Sequence, residues 1–143
     1  MNKWDERFLD LAFTISKWSK DPDVQVGCVI VDQNNRIIST GYNGLPAKVA
    51  DNQNVLHNKA AKNNMTIHAE RNAIIFAKQN LINCTLYTSL MPCAPCAAMI
   101  VQTGIIKVVT CRLDNDKLKW RFDLSHKMFK EAEIELIKEF YEN

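Results

Sequence analysis

Apolar residues change their spacing along this chain, and each change marks an element. Phe8, Leu11, Ala12 and Ile15 recur at helical spacing, with Asp10 and Lys17 off the stripe. They predict an amphipathic helix over about 5–17. Pro22 disfavours helix at Asp21 and closes it. Val24, Val26, Val29, Ile30 and Val31 form a β-branched run that predicts a strand over 24–31. Asp32-Gln33-Asn34-Asn35 reads as a turn, and 36–42 as the return strand of an antiparallel hairpin. Residues 47–65 are polar and show no clear period. Helices are predicted at 68–80, 93–102 and 122–132, and strands at 84–89, 105–110 and 134–137. Gly104 ends the second of those helices. Strand, helix, strand after Cys84 implies a right-handed parallel crossover. The sum is one α/β domain over 1–143, a mixed sheet with helices on both faces. Residues 112–119 read as a charged connection.

Composition supports a globular reading and narrows the partners. The chain has 143 residues and 47% hydrophobic residues, with no apolar run long enough to cross a bilayer. No signal-peptide pattern opens it, which predicts a cytoplasmic protein. Five cysteines, an odd number, suit a reducing compartment. Cys28, Cys84 and Cys111 lie in apolar runs and read as small buried hydrophobes. The net charge of +2 is too small to argue for a nucleic-acid partner, and it accommodates a small anion.

The chemistry concentrates at His68-Ala69-Glu70 and Pro92-Cys93-Ala94-Pro95-Cys96. One imidazole and two thiolates suit Zn²⁺, and three protein ligands leave a fourth tetrahedral position for a reactant. Neither half is specific alone: His-x-Glu is common, and Cys-x-x-Cys also serves redox pairs and structural zinc sites. Together, H-x-E and P-C-x-x-C form the pattern of zinc-dependent nucleobase deaminases. Helix starts at the two motifs would favour thiolate over thiol. Glu70, two residues from the histidine, is placed for proton transfer and not for ligation. His57 and His126 lack a partner at metal spacing. Trp4, Trp18 and Trp120 read as packing residues.

From about residue 18 to 137 the chain resembles the deoxycytidylate (dCMP) deaminase family of the cytidine deaminase superfamily. The likeness runs through Ser19-Lys20-Asp21-Pro22, Gln25-Val26-Gly27, Gly41-Tyr42-Asn43-Gly44 with Pro46, and His68-Ala69-Glu70 with Asn72-Ala73-Ile74. It continues through Leu86-Tyr87, Pro92-Cys93 to Cys96-Ala97, and Gln102-Thr103-Gly104-Ile105. Arg71 stands where relatives commonly have Leu or Val, and Cys28 where they have Ala.

The resemblance implies a three-layer α/β/α cytidine-deaminase-like fold with a five-stranded mixed sheet, its last two strands parallel. It implies zinc-dependent hydrolysis of dCMP to dUMP and ammonia, with one Zn²⁺ per chain on His68, Cys93 and Cys96. The segment between Pro46 and His68 is too short, and His57 too isolated, for a second zinc. Glu70 would be the catalytic proton shuttle. Asn43 would hold the sugar, while the Ala69 N–H and the Ser89 carbonyl would read the base edge. Ser19 and Lys20 are candidates for the 5′-phosphate, with Arg71, Lys48 and Arg121 as rivals. A homo-oligomer, dimer or hexamer, is implied. Competing readings are a deaminase of free guanine or cytidine, a deaminase editing transfer RNA or single-stranded DNA, and a non-catalytic zinc-stabilised interaction module.

Overall fold

The computed structural model describes residues 1–111 and 121–139. The expected connection at 112–119 and Trp120 lie outside them.

Helix α1 (Lys3–Ser16) starts earlier than the apolar stripe suggests, because Asn2 caps it. The Asn2 amide oxygen accepts from the Asp5 N–H at 2.9 Å, and Asp5 accepts in return from the Asn2 N–H, a capping box. Strand β1 (Gly27–Val31) pairs antiparallel with β2 (Ile37–Tyr42). Their turn is held by the Asp32 carboxylate, which accepts from the N–H groups of Asn34 and Arg36. The first strand is three residues shorter than its valines predict. Val24 and Val26 spend backbone groups on the Asn43 side chain, not on the ladder.

The aperiodic stretch contains two short helices, α2 (Gln53–Leu56) and α3 (Lys59–Met65), each capped by an asparagine side chain. Helix α4 (Ala69–Ala77) follows and ends with its last apolar residue, three residues short of the expected limit at 80, because Lys78 takes a left-handed conformation with φ 52°. Then come β3 (Thr85–Thr88), α5 (Ala94–Thr103), β4 (Lys107–Cys111), α6 (Phe122–Glu131) and β5 (Glu135–Glu139). Gly104 closes α5 at φ 85°, a conformation that favours glycine.

The sheet order is β2-β1-β3-β4-β5. The β3–β4 and β4–β5 pairs are parallel, the rest antiparallel. Strand period two divides the core. Val29, Val31, Tyr87 and Val109 face α1 and pack on Phe8, Leu9, Ala12 and Ile15. Cys28, Ile30, Leu86 and Val108 face the other way, against Ala69, Ala73, Ala97, Ile100 and Phe129 of α4, α5 and α6. This is the expected three-layer architecture. Parallel strands open their carboxyl ends toward the starts of α4 and α5, and the functional residues gather there.

Candidate metal centre and cavity

His68 is the N-cap of α4, Cys93 is the N-cap of α5, and Cys96 lies in the first turn of α5. Neither cap residue makes a side-chain capping bond. The side chains turn toward one another instead. The Nδ1 of His68 lies 3.4 Å from the Cys93 Sγ and 3.3 Å from the Cys96 Sγ. Among the described residues, this is the one group of three or more potential ligand side chains within mutual reach. Zinc with sulfur at ~2.3 Å and nitrogen at ~2.0 Å in tetrahedral geometry sets those atoms about 3.6 Å apart. The donor set and its spacing fit zinc.

The electrostatics agree. The Cys93 thiol is pushed well below the ordinary range, first by the Cys96 S–H and then by His68. The same shared proton raises Cys96, and Cys93 raises His68. A cluster that stabilises thiolate is prepared for a divalent cation.

Glu70, in the first turn of α4, is 4% exposed and not part of the ligand cluster. Burial raises its pKa from the usual 4.5; its own backbone N–H, His68 and Thr88 pull the other way. Thr88 Oγ1 donates to Glu70 Oε1 at 3.0 Å. A buried carboxyl with raised pKa at the edge of a cavity is suited to accept a proton and release it.

A cavity of about 490 Å³ opens over this centre. His68, Ala69, Glu70, Met91 and Cys93 form its floor, and Asn43, Val24 and Val26 one wall. Asp21, Asp23, Lys59 and Lys62 line it as well. Lys62 is 6% exposed and donates to Asp21 at 3.0 Å and Asp23 at 2.6 Å, tying α3 to the loop before β1.

The residues singled out from the sequence divide into two groups here. His68, Ala69, Glu70, Cys93 and Asn43 line the cavity, with Cys96 behind the metal centre. Ser19, Lys20 and Ser89 do not line it. The Ser19 hydroxyl is buried and donates to the Asn43 carbonyl at 2.8 Å, so it braces the wall. Lys20 is exposed and paired with Asp51 at 2.7 Å. The Ser89 carbonyl accepts from the Cys111 thiol at 2.8 Å, and the Ser89 hydroxyl from the Gly27 N–H at 3.0 Å. The rivals Arg71, Lys48 and Arg121 are likewise absent from the lining. Asn43 uses its amide on the Val26 N–H and the Val24 carbonyl, both at 2.8 Å, and keeps a second N–H.

Lys59, Lys62 and Thr88 are not singled out by the sequence pattern. Lys59 and Lys62 sit in the aperiodic segment and give no signal. Thr88 does give one: it shares the inward face of β3 with Leu86, a polar residue at a core position.

A sequence profile described as the cytidine and deoxycytidylate deaminase zinc-binding region matches residues 2–112. The chain belongs to that family. It is 42% identical over 139 residues to an Aliivibrio fischeri protein named "Uncharacterized deaminase in luxG 3'region", covering 95% of this chain and 93% of the relative. It is 38% identical over 113 residues to human deoxycytidylate deaminase, covering 75% of this chain and 64% of that protein. The fold matches the dCMP deaminase of cyanophage S-TIM5, solved with dCMP and dUMP, at TM-score 0.77 and 23% identity over 96% of this chain and 98% of that one.

Proposed function

We propose that this chain is a zinc-dependent hydrolase that converts dCMP to dUMP and ammonia, acting as one deaminase domain over 1–143. The observation that carries it is the pairing of the His68-Cys93-Cys96 cluster with a separate buried carboxyl, Glu70, at the floor of one cavity. A structural zinc site has no use for that carboxyl. Bound zinc supplies the Lewis acidity that makes water nucleophilic near neutral pH.

The chain's own residues supply the rest. Glu70 takes a proton from the attacking water and gives it to ring N3; it then takes the second proton from the new C4 hydroxyl and delivers it to the amine leaving C4. The C4–O bond forms and the C4–N bond breaks, so water and dCMP give dUMP and ammonia. The Ala69 N–H at the cavity floor reads the base edge. Asn43 meets the sugar with its remaining N–H. Lys59 and Lys62 are the two lysines among the lining residues, and they take the phosphate role that the sequence pattern suggests for Ser19 and Lys20. Lys62 can exchange Asp23, whose side chain is 54% exposed, for the incoming phosphate.

The substrate in this reading is a free nucleotide. Three carboxylates and two lysines on the lining, with a net chain charge of +2, supply no extended basic groove for a polynucleotide. The reading includes a cytoplasmic location, as the sequence pattern suggests. Among the described residues, no helix is long and apolar enough to cross a membrane. The reading includes a homo-oligomer, dimer or hexamer, for which the exposed Ile75 and Phe76 of α4 offer an apolar face.

The experiment is kcat/KM for dCMP, deoxycytidine, CMP and a cytosine-containing oligonucleotide. The expected result is dCMP far ahead of deoxycytidine. Parity between the two, or preference for the oligonucleotide, would reassign the substrate.

A further inference from the structure

The floor of the sheet beneath Glu70 carries two threonines side by side. Thr88 of β3 and Thr110 of β4 are register partners in a parallel pair, so both project on the same face. Each is 0% exposed. Their surroundings differ. Thr88 Oγ1 lies 3.0 Å from Glu70 Oε1 and 3.0 Å from the Leu90 carbonyl oxygen. Thr110 Oγ1 has no hydrogen-bond partner among the described residues.

We propose that Thr88 is a positioning residue for the deamination, its hydroxyl holding the Glu70 carboxyl in one orientation at the cavity floor. This rests on Glu70 being the proton shuttle. A hydroxyl carries one hydrogen and can also accept. With Glu70 as carboxylate, the Thr88 hydrogen goes to Oε1, because a charge-assisted bond is the stronger of its two choices. With Glu70 carrying the transferred proton on its other oxygen, Oε1 is a carbonyl-type acceptor and still takes the Thr88 hydrogen, while the proton stays free to pass to the substrate. One bond to Glu70 is therefore kept through both halves of the shuttle, without any heavy atom moving. The anchor is rigid: β-branching restricts the Thr88 side chain, and the strand beneath it is paired on both edges. A proton shuttle must reach water, N3 and the amine in turn, and loss of a fixed orientation slows those steps.

Thr110 supplies the control. It is the same residue type, on the same face, one strand away, and it bonds to nothing in the machinery.

The test compares Thr88→Val, Thr88→Ser and Thr110→Val. Thr88→Val is expected to lower kcat by on the order of ten- to a hundredfold, the scale of a lost hydrogen bond to a charged group. KM and zinc content stay near wild type. Thr88→Ser restores most of the rate, and Thr110→Val leaves it unchanged. Should Thr88→Val fail to fold, Thr88→Cys removes most of the donor strength in a serine-sized side chain. A second readout needs no turnover: the carboxyl stretching bands of Glu70, isolated by infrared difference against Glu70→Gln. They should shift in Thr88→Val and not in Thr110→Val. Wild-type kcat in Thr88→Val, equal losses in both valine variants, or unmoved bands would overturn the proposal. A wild-type protein inactive on every cytosine substrate would overturn the function reading instead, and the infrared comparison would still decide the role of Thr88.

Discussion

Gly41 of β2 and Ala73 of α4 meet backbone to backbone: a Cβ on Gly41 would stand 2.6 Å from the Ala73 N and closer still to the Ala69 carbonyl oxygen. No flexible side chain could give way there. The contact fixes the distance between the sheet and the first turn of the helix that carries Glu70. Gly41→Ala should therefore lift α4 off the sheet, with an overpacking cost of about 1–3 kcal/mol. Denaturant unfolding and zinc content measure the two consequences. Wild-type values for both would mean the contact relaxes freely.

Metal and carboxyl separate by mutation. Cys93→Ala should lose zinc and stability, since metal binding free energy is also folding free energy. Glu70→Ala should keep one zinc per chain and its fold while losing at least on the order of 10²–10⁴-fold in kcat. Metal analysis alongside turnover on the same preparations checks both. Zero or two zinc equivalents in wild type, or near-normal activity in Glu70→Ala, would break the assignment.

Lys62 links stability to pH. Burial opposes its charge, but the bonds from Asp23 and Asp21 outweigh that and raise its pKa above 10.5. The same bond from Lys62 lowers Asp23 below 3.8. A raised lysine contributes stability below 10.5 and loses it as pH climbs past that value. A lowered aspartate contributes above 3.8 and loses it as pH falls further. Lys62→Met leaves the Asp21 carboxylate, 9% exposed, with the Asp23 and Val24 N–H groups but no cation, and should cost about 1–3 kcal/mol near neutrality. That difference from wild type, followed by thermal unfolding, should be flat from about pH 5 to 9 and shrink outside the two limits. A difference that grows above pH 10.5 would contradict the ion-pair origin.

A second buried charge sits under the opposite face. Asp5 is 1% exposed and accepts from the Tyr87 hydroxyl at 2.8 Å and from the Lys107 ammonium at 3.0 Å on each oxygen. It joins α1 to β3 and β4. Burial and this carboxylate together push the Tyr87 phenol far above its ordinary pKa. Asp5→Ala strands both donors and should destabilise by about 3 kcal/mol, with zinc content unchanged. Calorimetry gives the first quantity and metal analysis the second; a change below about 1 kcal/mol would show that water replaces the carboxylate.

The legible parts of this chain are those with strong local signals. The β-branched run of β1 and the helical stripe of α1 set both elements within a few residues. Pro92 with Cys93 and Cys96 marks the start of α5, and the break between α6 and β5 falls close to where the weak alternation at 134–137 suggests. The N-cap placement of His68 and Cys93 follows from the same signals. What stays hidden depends on long-range pairing. Ser19 and Asn43 are joined across 24 residues by a bond that no periodicity encodes. Lys62 reaches Asp21 and Asp23 from a helix capped by an asparagine in a polar stretch, a pattern shared with loops. The close approach of α4 to Gly41 is likewise marked by no local pattern.

Product analysis of dCMP incubated with the zinc-loaded protein tests the central claim most directly. The predicted result is dUMP and ammonia in equal amounts, in many turnovers per chain, and none from the Glu70→Ala protein. Intact dCMP in the presence of a fully zinc-loaded wild-type chain, with ammonia released only from guanine, cytidine or an oligonucleotide, would contradict it.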